Sequence, residues 1–130
     1  MDYRGLTIGD WLLDKEEGFP RRVTQVTSDV FGGCAPGVIL ENGMDYQQCE
    51  PILLTSEILE KNGLKKDKDG WYQFSNKNGR LDCLYYQNER IPFAINGPFI
   101  SVNAHLYFVH ELQHALRLCG LNELADNFKV

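Results

Sequence analysis

The chain has 130 residues, 43% of them hydrophobic, which is enough apolar material for one compact domain or two very small ones. Its net charge of −5 lies entirely in residues 1–52, where four Lys/Arg face nine Asp/Glu, whereas 53–130 carry nine of each; such a balance argues against general nucleic-acid binding and leaves a basic protein as the partner that charge favours. No apolar run is long enough to cross a bilayer, and the opening MDYRGLTIGDW has neither the basic start nor the apolar stretch of a signal peptide, so no membrane role and a cytoplasmic protein are expected.

The first part alternates short apolar stretches with Gly, Pro and Asp: LTIGDWLLD, FPRRVTQVTSD, FGGCAPG, VILENG and YQQCEPI. Four or five short strands in so short a length predict a small, strongly bent SH3-like β-barrel over residues 1–52. Gly9 and Asp10 read as a turn entering the strand that carries Trp11, a core residue in this reading. Gly32, Gly33, Pro36 and Gly37 read as a loop, because no G-x-x-x-x-G-K pattern or following helix makes them a phosphate cradle.

At Pro51 the pattern changes, and residues 53–130 are expected to form an α+β part packed with the barrel as one compact unit. Thr55 is the expected N-cap of a short helix, with Leu54 and Leu59 as a hydrophobic staple and Gly63 closing it. The turn Asp67–Lys68–Asp69–Gly70 contains fragments of a calcium loop but lacks the remaining acidic positions and closing glutamate of an EF-hand, so it reads as a plain turn. An antiparallel meander should follow: Trp71 to Phe74, a turn at Asn76–Lys77–Asn78–Gly79, Leu81 to Gln87, Ile91 to Ile95, and a short segment from Phe99 to Val102.

The C-terminal helix is predicted from Ala104 to Cys119, with Asn103 as N-cap. His105, Phe108, Val109, Leu112, Ala115, Leu116 and Cys119 then form a buried stripe. Gly120 and Leu121 should close it in a Schellman arrangement. Within this helix His110, Glu111 and His114 spell H-E-L-Q-H, the spacing by which zinc peptidases place two imidazoles on one face beside a general base. At about 100° per residue both histidines fall roughly 160° from Leu112, beside Arg117, on a face expected to meet water. The longer H-E-x-x-H-x-x-G-x-x-H pattern fails, because Arg117 and Gly120 stand where its glycine and third histidine belong; Glu123 and Asp126 are the carboxylates left downstream. Four cysteines, Cys34, Cys49, Cys83 and Cys119, form no C-x-x-C pair and read as free, partly buried thiols.

In its order of LTIGDWLLD, PILLTSEILEKNGLKK (51–66), WYQF and VHELQHALRLCG (109–120), the chain resembles a group of uncharacterised small proteins of Bacteroides-type bacteria and their prophages and mobile elements. The resemblance implies no assigned activity, cofactor or catalytic residue. It also implies that the motif is not a metal site, since relatives often carry asparagine at the position of His114 and sometimes glutamine at that of Glu111. The expectation is therefore a non-enzymatic accessory or protein-interaction protein, with no catalytic, cofactor or metal residues. The alternative is a minimal zinc-dependent hydrolase with His110 and His114 as ligands and Glu111 as general base.

Overall fold

The computed structural model describes residues 6–27, 37–40, 49–84, 93–97 and 100–130. The chain divides into two compact units, Met1–Ile52 and Leu53–Val130. It is an α+β protein of two small antiparallel sheets and three short helices among the described residues.

The first unit holds β1 (Trp11–Asp14), β2 (Pro20–Thr27), β3 (Gly37–Leu40) and β4 (Cys49–Pro51), in the sheet order β3-β2-β1-β4. A bulge between Val23 and Gln25 shifts the register of β2 against β3, a feature that bends a strand. Among the described residues β3 and β4 do not pair, so no closed barrel is seen. Leu12 and Val23 are buried, whereas Trp11 is only half-buried, with the Arg22 guanidinium 4.6 Å from its ring centroid on the neighbouring strand. Of the loop expected from Gly32 to Gly37, residues 32–36, Cys34 among them, lie outside the described residues, and Gly37 opens β3 instead, pairing with Thr27.

Two aspartates of this unit are fully buried, and each holds a turn. Asp10 accepts the Thr7 N–H on Oδ2 at 2.8 Å, while its own N–H and C=O bond to Thr7 and Val23. Asp14 Oδ1 accepts the N–H groups of Glu16 at 2.8 Å and Glu17 at 3.3 Å, which shapes the loop leading back into β2. Asp10 closes the turn that begins at Thr7, within the turn expected at Gly9 and Asp10, whereas Asp14, to which the sequence pattern gives no structural task, is a short acidic side chain just before a tight turn.

The second unit opens with α1 (Ser56–Lys61). Thr55 is its N-cap, the hydroxyl accepting the Ile58 N–H at 3.2 Å, and the staple residues Leu54 and Leu59 are both buried. Then come β5 (Trp71–Asn76), β6 (Gly79–Leu84), β7 (Phe93–Gly97) and β8 (Ile100–Leu106), paired in the order β5-β6-β7-β8, an antiparallel meander; residues 85–87, 91–92 and 99 of the expected strands lie outside the described residues. Strand alternation buries Tyr72 and Phe74 on β5 opposite Cys83 and Leu81 on β6. The turn between these two strands reaches the helical layer: a Cβ placed on Gly79 would lie 1.9 Å from the Cys119 carbonyl oxygen, an approach only glycine permits.

The last helices are α2 (Val109–Leu118) and α3 (Asn122–Asp126), with α2 lying against α3 and β8. The expected helix over 104–119 is thus corrected at its start. Residues 100–106 are a strand, His105 pairs with Ala94 in the sheet, and the N-cap is Phe108 rather than Asn103. The reason is competition for backbone partners: β7 offers this segment a ladder, and the alternation of Ile100, Val102, Ala104 and Leu106 in sequence fits a strand as well as His105 and Phe108 fit a helical stripe. From Val109 onward the stripe holds, with Val109, Leu112, Ala115, Leu116 and Cys119 all buried. Among the described residues no helix is long and apolar enough to cross a membrane.

Candidate functional site

The first turn of α2 carries the one catalytic-type motif of the chain, and its geometry follows from how that turn is capped. Phe108 has an extended backbone and a side chain that cannot accept a hydrogen bond, so the N-cap residue leaves the helix without a cap of its own. Glu111, three residues on, supplies it. Its Oε1 accepts the backbone N–H of Phe108 at 2.9 Å and of Tyr107 at 2.9 Å, the return arm of a capping box. A carboxylate at this end of a helix is also favoured by the helix dipole.

His110 and His114 do share a face, with ring centroids 5.7 Å apart and an edge-on arrangement. That face is not simply a solvent face, as expected from the helical angle; both residues are half-buried. The extended approach to α2 lays Phe108 over His110, with ring centroids 5.9 Å apart and planes within 7°, and Tyr107 continues the row at 6.2 Å from Phe108. The motif therefore forms an aromatic row along the start of the helix. Leu53, bridged to Phe108, and Tyr107 are the exposed apolar side chains beside it.

The rest of the polar face is also more structural than its spacing suggests. Gln113, between the two histidines in sequence, is fully buried, and its Nε2 donates to the Ala125 carbonyl at 3.1 Å. This bond joins α2 to α3, whose Asp126 approaches Arg117 at 3.5 Å. Gly120 closes α2 at φ +79°, with the Leu121 N–H on Leu116 O at 2.8 Å and its own N–H on Arg117 O at 3.1 Å, which is the Schellman pattern.

A hydrolytic zinc site needs three protein ligands and a free general base. The two imidazoles are near each other, and one of the two Glu111 carboxylate oxygens, Oε1, holds two backbone N–H groups. Among the described residues no three His, Cys, Asp or Glu side chains gather as a metal site. Asp67, the calcium-loop fragment, is likewise engaged locally: its Oδ1 accepts the Asp69 N–H at 2.8 Å and the Trp71 N–H at 2.9 Å. These bonds, that from Trp71 foremost, hold its pKa below 3.8.

The remaining reactive groups are buried thiols. Cys49, Cys83 and Cys119 are buried thiols that form no disulfide among the described residues, and desolvation pushes the Cys83 thiol up from 9.0 to about 12. In the first unit Glu16 and Glu17 are exposed, Glu17 bound to Arg21 at 2.6 Å, while Asp14 belongs to the turn beneath them and not to the acidic surface. Against protein-family models, characterised proteins and solved structures, the chain finds no match.

Proposed function

We propose that this chain is a non-enzymatic accessory protein that works by binding another protein. The observation that carries this reading is the position of Glu111: the residue the motif would use as general base is the N-terminal cap of α2. The resemblance of residues 51–66 and 109–120 to small proteins of prophages and mobile elements supports an accessory role in such an element. For the first unit we favour an SH3-like module, a reading supported by its short antiparallel strands and the bulge in β2. Its charge balance, with exposed Glu16 and Glu17, suits a basic partner, whose approach it would steer in a salt-dependent way.

The second reading, a zinc-dependent hydrolase, is favoured by one observation, the 5.7 Å spacing of the His110 and His114 rings. The two readings part in one set of measurements on tag-free protein. The interaction reading expects no stoichiometric zinc, no change in thermal stability with chelator, and binding of a lysine-rich probe peptide that weakens with salt and with Glu16→Lys plus Glu17→Lys. Stoichiometric zinc, together with peptide hydrolysis that Glu111→Gln abolishes while the metal stays bound, would overturn it.

A further inference from the structure

Gln73 and Ser75 turn their main chain away from the sheet. A hairpin closed by two residues, here Lys77 and Asn78, makes Asn76 and Gly79 a hydrogen-bonded pair. Alternation along the ladder then puts Phe74 with Leu81 and Tyr72 with Cys83 on hydrogen-bonded rungs, and points the N–H and C=O groups of Trp71, Gln73 and Ser75 outward. The bonds of Trp71 agree with this parity. Its N–H goes to Asp67 Oδ1 at 2.9 Å and its C=O accepts the Asp67 N–H at 2.9 Å. Gln73 and Ser75 have no such outer neighbour among the described residues, because β5 is the terminal strand of its sheet.

Beside this edge lies an open groove of ≈ 420 Å³. One wall is Gln73, Phe74 and Ser75; the other is the end of α1, residues 61–64, with residues 127–129. Asn62 ties the second wall together. Its Nδ2 donates to Ile58 O at 2.8 Å and Lys129 O at 2.9 Å, and its Oδ1 accepts the Lys129 N–H at 2.8 Å. The charged side chains lining the groove are Lys61 and Lys129, both exposed and neither in an ion pair among the described residues. An unpaired strand edge is a template for another chain, and main-chain bonds there give affinity without demanding a particular sequence. The lysines supply the demand: they attract carboxylates, and they oppose edge-to-edge pairing of two copies, which would bring both lysine pairs together.

We propose that the groove beside β5 binds an extended acidic segment of a partner protein, which adds to the sheet through the N–H and C=O groups of Gln73 and Ser75 and sets its carboxylates against Lys61 and Lys129. The inference rests on the reading of this chain as an interaction protein, but it uses a different surface, of opposite charge to the first unit, so each can fail alone.

The test is selection of a random octapeptide library on the full-length, tag-free protein, followed by synthesis of the strongest binder as the probe. Acidic sequences should emerge. In the free protein the Gln73 and Ser75 amides should exchange quickly with solvent while those of Tyr72 and Phe74 are protected; with peptide bound, the first two should slow by about tenfold or more. Ser75→Pro removes only an outward donor, which an edge strand tolerates, and should weaken binding by about tenfold. Lys61→Glu with Lys129→Glu should do the same, and carries the test if the proline variant fails to fold. Glu16→Lys with Glu17→Lys should leave this peptide's affinity unchanged. A selection without acidic preference, binding that leaves both amides exchanging freely, or a dimer in sedimentation that Ser75→Pro dissolves would each overturn the proposal.

Discussion

Helices α1 and α2 end alike and begin differently. Each closes on a left-handed glycine, Gly63 at φ +81° and Gly120 at φ +79°, and each returns a leucine N–H to the last turn, Leu64 to Leu59 O and Leu121 to Leu116 O. At the start, α1 is capped by the residue that precedes it, Thr55, whereas α2 is capped from inside by Glu111. The difference teaches how one pattern can carry two readings: a cap placed before a helix announces the helix, but a carboxylate at its third residue, flanked by histidines, reads both as the return arm of a capping box and as the base of a metal motif.

The likeness of the two ends breaks at their surroundings, and there the largest effect is expected. Gly79→Ala would put a methyl group 1.9 Å from the Cys119 carbonyl oxygen, and backbone lies on both sides of the clash. Relief requires parting the β5–β6 turn from the end of α2, so a loss of about 3 kcal/mol or more is expected in urea unfolding. Gly120→Ala should cost about 2 kcal/mol, from left-handed strain plus crowding against Asn78 O at 3.0 Å. Gly63→Ala meets nothing within 4 Å and should cost only the strain, about 1 kcal/mol. Equal losses at Gly63 and Gly120 would show that the contact with the Asn78 carbonyl carries no weight.

The two starts are compared by Thr55→Ala and Glu111→Ala, each expected to cost about 1 kcal/mol of stability through loss of a cap. Glu111→Gln keeps an acceptor at the same reach and should cost about 0.5 kcal/mol or less. A Glu111→Ala protein as stable as the parent would remove the cap assignment and return the carboxylate to the motif.

What was legible in the sequence was local and one-directional. Thr55, Leu54, Leu59, Gly63, the meander turns and the stripe from Val109 to Cys119 could be read because each signal sits on the element it specifies. The start of α2 was not legible, since 100–106 fits both a strand and a helix, and only pairing with β7 decides between them. Gln113 was unreadable for the same reason: its burial depends on α3 offering the Ala125 carbonyl. Asp14 counted as surface charge because its spacing does not reveal that the Glu16 and Glu17 N–H groups would claim it. That β5 is a terminal strand among the described residues needed the strand order, which turn signals do not supply.

Cys83 on β6 and Cys119 at the C-cap of α2 allow a further, smaller comparison, for both are buried. Native protein at pH 8 should leave both unlabelled by a thiol reagent that reacts fully after unfolding. The Cys83 thiol is raised from 9.0 to about 12 by burial. Its contribution is therefore fully present below about pH 9 and is lost as pH rises towards 12, because the unfolded chain ionises first. Cys83→Ala should lack that part of the alkaline fall; identical alkaline profiles for the two proteins would place the thiol in a more polar setting.

The smallest effect is expected at Asp67, which repeats in a turn what Glu111 does at a helix. In each, one carboxylate oxygen takes two backbone N–H groups, Asp69 and Trp71 in one case, Tyr107 and Phe108 in the other. For Asp67 the Trp71 bond is the main cause that holds the folded pKa below the ordinary 3.8. A depressed carboxylate stabilises the fold above its unfolded pKa, and that contribution is lost as pH falls through the folded value. The Asp67 carboxyl signal should therefore titrate by NMR with a midpoint under 3.8, and the stability difference between the parent and Asp67→Ala should shrink in acid. Added calcium should leave the midpoint where it is, since Oδ1 already takes two N–H groups of the chain's own backbone. A midpoint at or above 3.8, or one that calcium lowers further, would mean that Asp67 is free for a ligand in a way Glu111 is not.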